Sequence, residues 1–173
     1  METIKVVKDV MVDVFDFPHV PYWFSIRQAI GIVKKSLLTS EKCHHPMAIL
    51  VFDEKYNLMG TLTLKDILKG LEPNFLKPIT KAQGLESDES ALSALWDGLF
   101  FKESLDKATR PVGEAMVPAK FFVQPDDPLT KAAYLMIHND LVLLPVLEDK
   151  KKFVGLVRIK EIFEELSNAV LSA

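Results

Sequence analysis

The sequence predicts an α+β fold made of two tandem copies of one β-α-β-β-α unit, with a helical linker between them. Three observations predict it. The segment KDVMV (8–12) recurs in character as GEAMV (113–117). Each is followed by an extended stretch and then by an amphipathic helix. Each helix is followed by two short apolar runs separated by a charged or polar turn. Self-similarity of this kind, in matching order, marks an internal repeat.

The elements follow in order. The extended stretches are VFDFPHVPYWF in the first copy and KFFVQP in the second. IRQAIGIVKKSLL (26–38) and LTKAAYLMIHND (129–140) then read as helices. Their apolar positions, Ile26, Ala29, Ile30, Val33 and Leu37 against Leu129, Ala132, Ala133 and Met136, recur at helical spacing and make one buried stripe on each. The runs AILVFD (48–53) and NLMGTLTL (57–64) flank a polar turn and predict a β-hairpin, as do LLPVLE (143–148) and KFVGLVRI (152–159). LKDILKGL (64–71) and IKEIFEELSNAVL (159–171) close the copies as helices. Asp66 and Glu161 fall in their first turns, where the helix dipole favours negative charge. The first copy is longer, mostly in KSLLTSEKCHHPM, and length variation belongs in loops.

These readings divide the chain into a first copy at residues 1–71, a linker at 72–110 and a second copy at 111–173, the copies sharing one compact module. Pro73, Pro78 and Gly84 break the first part of the linker. SDESALSALWDGLFFKESLDK then offers Ser87 or Asp88 as N-cap and an apolar stripe of Leu92, Leu95, Trp96, Leu99 and Phe100.

The chain has 173 residues, 49% apolar and 26% charged, which is ordinary for a soluble globular protein. The longest uncharged stretch, Phe17 to Ile26, is far short of a membrane span, and no signal-peptide core opens the sequence. A cytoplasmic location without membrane insertion is the expectation. A net charge of −3 does not suggest a polyanion binder, so no nucleic-acid partner is expected. Cys43 is the only cysteine, which excludes an internal disulfide and a multi-cysteine metal cage. His44 and His45 beside it cannot readily converge with Cys43 on one tetrahedral ion, so no metal site is expected; His19 and His138 are isolated.

The twofold β-α-β-β-α order carries Met11 and Met116 near its openings. Gly60-Thr61-Leu62-Thr63-Leu64-Lys65-Asp66 follows the first hairpin, with Gly155-Leu156-Val157 at the matching place of the second. This pattern, with the runs Ile49 to Asp53 and Leu144-Pro145-Val146, resembles the CBS-domain family, as a tandem pair of the kind called a Bateman module. The resemblance implies repeats packed through their sheets about a pseudo-two-fold axis, leaving two clefts. It also implies adenine-nucleotide binding there (AMP, ADP, ATP or S-adenosylmethionine), no required cofactor, and regulation of an effector protein.

Thr63 and Asp66, spaced i, i+3 at a helix opening, lie close enough to converge on one polar ligand. The resemblance assigns them to ribose hydroxyls. The simpler reading is an N-cap Thr63 with Asp66 as its capping-box partner. By the same resemblance, backbone at Val10, Met11, Val12 and Asp13 and the strand from Ile49 and Leu50 to Val51 form the base pocket. The second copy departs from the pattern: Arg158 stands for the threonine and Glu161 for the aspartate. Arg158 is suited to a phosphate, or to an ion pair with Glu161 or Glu164. Met47-Ala48 and Val142-Leu143 stand where many members carry a basic phosphate contact, which argues against a triphosphate ligand.

No Gly-rich phosphate loop, nucleophile elbow or catalytic acid pair is present, so no catalytic residue and no enzyme activity are expected. Two readings remain: a stand-alone regulatory module for an AMP-like ligand, and a ligand-free dimerisation or interaction scaffold with the same fold. A homodimer is expected in both, on the apolar surface of Trp96, Leu99, Phe100 and Phe101.

Overall fold

The computed structural model describes residues 5–37, 47–74 and 99–172. The predicted N-terminal half of the linker helix, with Trp96, and the loop carrying Cys43, His44 and His45 lie outside them. In chain order the elements are β1 (His19–Pro21), α1 (Ile26–Ile32), β2 (Ala48–Phe52), β3 (Leu58–Thr63), α2 (Leu64–Leu71) and α3 (Leu99–Lys107). Then come β4 (Val117–Pro118), α4 (Leu129–Asn139), β5 (Leu143–Glu148), β6 (Lys152–Arg158) and α5 (Ile159–Leu171). The two hairpins and their following helices fall where the sequence placed them. The opening of the first copy differs in part: a 3₁₀ turn at Val14–Asp16 takes the start of the stretch expected to be extended, and the strand within it, β1, is only three residues long.

One sheet has the order β1-β2-β3-β4, with β1 parallel to β2 and the other pairs antiparallel. The other is built on the antiparallel β5-β6 hairpin. Single bridges extend it in the same pattern: Val123 joins β5 in parallel through Val146, and Val12 joins β6 antiparallel through Leu156. Each sheet is therefore completed by the opening segment of the other copy. Val117 pairs with Thr61 of the first hairpin, while Val12 pairs with Leu156 of the second.

The same exchange ties the helix starts. Ile26 N–H donates to the Arg110 carbonyl (2.9 Å) and Leu129 N–H to the Lys5 carbonyl (3.4 Å). Val112 N–H donates to the Phe24 carbonyl (2.6 Å) and Val7 N–H to the Asp127 carbonyl (2.9 Å). These bonds satisfy N–H groups that a helix start or a turn leaves without internal partners.

The core follows the exchange. Val20, Ile26, Ile49, Val51, Leu62 and Ile67 pack with Val112 and Met116 on the helical side of the first sheet. Leu129, Met136, Leu144, Val157 and Ile162 pack with Val7 and Met11 in the second. A third cluster, with Ala48, Leu50 and Phe52 facing Leu143 and Leu156, fills the space between the sheets. Strand β2 is buried along its whole length because a helix layer covers one face and the opposite sheet the other. The second face of each half-sized sheet needs its twin for cover.

Asp127 secures the start of α4. Its Oδ2 accepts from Gln124 N–H (2.7 Å) and from Lys131 Nζ (2.7 Å). Burial pushes its carboxyl up, but these two donors outweigh it and hold the group below the ordinary aspartate value. Asp127→Asn should cost about 1 kcal/mol at neutral pH. A carboxyl lowered in the folded state contributes above its unfolded value of about 4 and ceases to as pH falls through the folded one. Denaturant midpoints of wild type and variant should therefore converge on acidification.

Candidate functional site

Strand β3 ends at Thr63, and its turn into α2 creates the polar pair. Asp66 Oδ2 accepts from Thr63 N–H (2.9 Å) and from the Thr63 hydroxyl (2.6 Å), while Asp66 N–H donates to Thr63 Oγ1 (3.3 Å). This is a complete capping box, so the simpler reading of the two residues is realised. It does not exhaust the carboxylate. Asp66 is 7% exposed, yet no described residue donates to its Oδ1. Among the described residues no side-chain nitrogen or oxygen is both buried and without a partner, so Oδ1 keeps its access to solvent. One oxygen of a nearly buried acid faces outward, a disposition suited to accepting from a ligand hydroxyl.

At the matching turn, Glu161 is filled from within. Arg158 Nε donates to Glu161 Oε1 (3.0 Å) and Oε2 (2.9 Å), and the Arg158 NH2 group also meets Oε1. Both side chains are nearly buried. The ion pair between Arg158 and Glu161, one of the alternatives for Arg158, is formed. Both Glu161 oxygens are occupied, so the second copy presents no open acceptor of the first kind.

The other sequence-predicted site residues are distributed differently. Val10, Met11, Val12 and Asp13 do not run beside Thr63. Val12 pairs with Leu156, which carries this segment along β6, toward Arg158. Ile49 and Leu50 are fully buried on opposite faces of β2, Ile49 under the helices and Leu50 between the sheets, and Leu50 N–H donates to the Pro18 carbonyl (2.9 Å). The segment that runs beside β3 is Val117–Ala119, with Ala119 N–H donating to the Met59 carbonyl (2.9 Å). Sequence reasoning did not place it there.

A signal for it exists. A glycine inside a strand often marks close approach of another backbone. A Cβ on Gly60 would run into the Val117 carbonyl, and one on Gly155 would lie 3.0 Å from the Val12 carbonyl. The two glycines thus name the segments that cross them.

Residues 112–168 match the family model of the CBS domain. The second copy is a CBS domain. No curated protein sequence matches the chain. The solved structures similar to this chain include CBSX2 from Arabidopsis thaliana, at 19% identity and TM-score 0.62, covering 99% of this chain and 100% of that one. A CBS-domain-containing protein from Bacillus anthracis is 21% identical with TM-score 0.63, covering 95% and 94%. The CBS domain pair of MJ0100, solved with 5′-methylthioadenosine and S-adenosyl-L-methionine, is 19% identical with TM-score 0.61, covering 96% and 99%. At such identities the likeness establishes the fold, a CBS pair spanning both copies. No helix among the described residues is long and apolar enough to cross a membrane.

The helical face of the second copy carries an apolar groove of about 600 Å³ between α4 and α5. Ile137, Phe163, Val170 and Leu171 line it, each at least 70% exposed. Of the predicted dimer surface, Phe101 is exposed, and Trp96 lies outside the described residues.

Proposed function

We propose that this protein is a regulatory module that binds an AMP-like adenine nucleotide in the cleft beside Thr63 and Asp66 and thereby alters the activity of a partner protein. The observation that carries the reading is the outward Oδ1 of Asp66, beside a threonine hydroxyl at a helix start. This pair suits the vicinal hydroxyls of a ribose. The similar structures support the ligand class: CBSX2 was solved with AMP, and the cytosolic domain of the Mg2+ channel MgtE with ATP. Apolar Met47-Ala48 and Val142-Leu143 favour a monophosphate over a triphosphate. Regulation follows from linkage, since a ligand that prefers one arrangement of the repeats shifts the population toward it.

Calorimetry with AMP, ADP, ATP and S-adenosylmethionine tests the reading. AMP should bind once per chain and more tightly than ATP, and Asp66→Ala should weaken it about tenfold or more, as expected for a lost hydrogen bond to a charged group. If none of the four ligands binds and Asp66→Ala changes nothing, the protein is the ligand-free scaffold instead.

The module acts as a homodimer in this reading. The α4/α5 groove gathers the exposed Ile137, Phe163, Val170 and Leu171 on one face, and a two-fold copy would cover them by stacking one helix pair on the other. Sedimentation should show a dimer at micromolar concentration, and Phe163→Glu should convert it to a folded monomer.

A further inference from the structure

A second cleft, of about 500 Å³, lies at the hairpin-turn end of the module, the end of β3 remote from Thr63. Three separate pieces of chain form it: the segment from Asp13 to His19, the first hairpin around its turn, and the second hairpin at Lys151–Val154. Its size is that of a small-molecule pocket.

Aromatic rings make its wall. Phe52 and Tyr56 stack at 4.3 Å between centroids, 10° from parallel, and His19 lies 5.0 Å from Phe52. His19 is locked in place: Nε2 donates to the Val14 carbonyl (2.9 Å) and Nδ1 accepts from the Tyr56 hydroxyl. At the rim, Phe15 stacks over His19 at 5.9 Å and is 83% exposed, with one face uncovered.

The turn does not need the tyrosine ring. Asp53 closes it by accepting from Lys55 N–H (2.9 Å) and Asn57 N–H (2.8 Å), while Asn57 Nδ2 also donates to Asp53 (2.9 Å). Tyr56 nevertheless sits at φ 61°, in the left-handed region that disfavours a bulky residue. Backbone strain of this kind gathers at ligand clamps. The cationic side comes from the second hairpin. Lys152 is paired with Glu148 at 3.5 Å, whereas exposed Lys151 makes no ion pair among the described residues.

The geometry points to a binding site for a planar aromatic ring bearing an acidic group, the ring against Phe15 and Tyr56 and the anion at Lys151. The site is independent of Thr63 and Asp66. Its ligand bridges the ends of both hairpins.

Indole-3-acetate, titrated into the full chain and followed by two-dimensional NMR, is a direct probe. It should shift the ring signals of Phe15, His19 and Tyr56. Phe15→Ala, a change at an exposed position, should weaken binding about tenfold through the lost stacking face. Lys151→Gln should make the acid and its neutral amide bind equally. Asp66→Ala should leave the titration unchanged, which separates this site from the nucleotide site whichever of them fails. Absence of shifts at these rings, binding unaltered by Phe15→Ala, or equal binding of acid and amide to the wild type would each overturn the assignment.

Discussion

Gly60→Ala is expected to destabilise the protein by about 3 kcal/mol, near the upper end for overpacking a closed interior. The added methyl would enter the space of the Val117 carbonyl and lie 3.0 Å from the Met116 sulfur. The carbonyl belongs to a strand held by its own ladder, so it cannot rotate away as a side-chain tip does. Relief requires β4 to separate from β3. Gly155→Ala is the graded comparison: its methyl would lie 3.0 Å from the Val12 carbonyl and 3.1 Å from the Met11 sulfur, and about 1 kcal/mol is expected. Gly31→Ala is the control of opposite sign. Nothing lies within 4 Å of its Cβ position in α1, so the gain in helix propensity, about 0.5–1 kcal/mol, should appear as stabilisation. Urea denaturation of the three variants checks both order and signs. Equal stability of Gly60→Ala and wild type would refute the close crossing.

Arg158→Ala carries the second large effect. It leaves the Glu161 carboxylate nearly buried without the guanidinium that meets both its oxygens, at a cost of about 3 kcal/mol. Arg158→Thr combined with Glu161→Asp should recover much of that loss, because it rebuilds the self-contained capping box seen at Thr63 and Asp66. A denaturation cycle over the two singles and the double measures the coupling. If the double variant also binds AMP, the stoichiometry rises to two per chain.

The two hairpins and the helices after them were legible because their signals are local. Alternating apolar runs, a polar turn and a helix cap lie within a few residues of one another, and β2-β3-α2 and β5-β6-α5 formed as the pattern predicts. The capping chemistry of Thr63 and Asp66 was legible for the same reason. The neighbours of the site were not. Val10 to Asp13 and Val117 to Ala119 read alike as openings of their own copies, and nothing local says that each crosses to the other sheet. Only the paired glycines, far away in sequence, carry that information. The aromatic cleft was hidden similarly: His19 looks isolated in the sequence, and its partners Phe52 and Tyr56 reach it through the fold.

The crossing of the opening segments has a consequence for how the chain comes off the ribosome. The first hairpin, helices α1 and α2 and most of their core precede residue 72, yet the wall completed by Val112 and Met116 is missing at that moment. Met11, synthesised early, has no seat until Gly155 emerges. Neither half can therefore finish before the other is made, and closure awaits contacts of long sequence separation, which slow folding. Nascent chains arrested between the repeats should be readily digested by protease, and protection should arise only after the second hairpin is free to close over Val12.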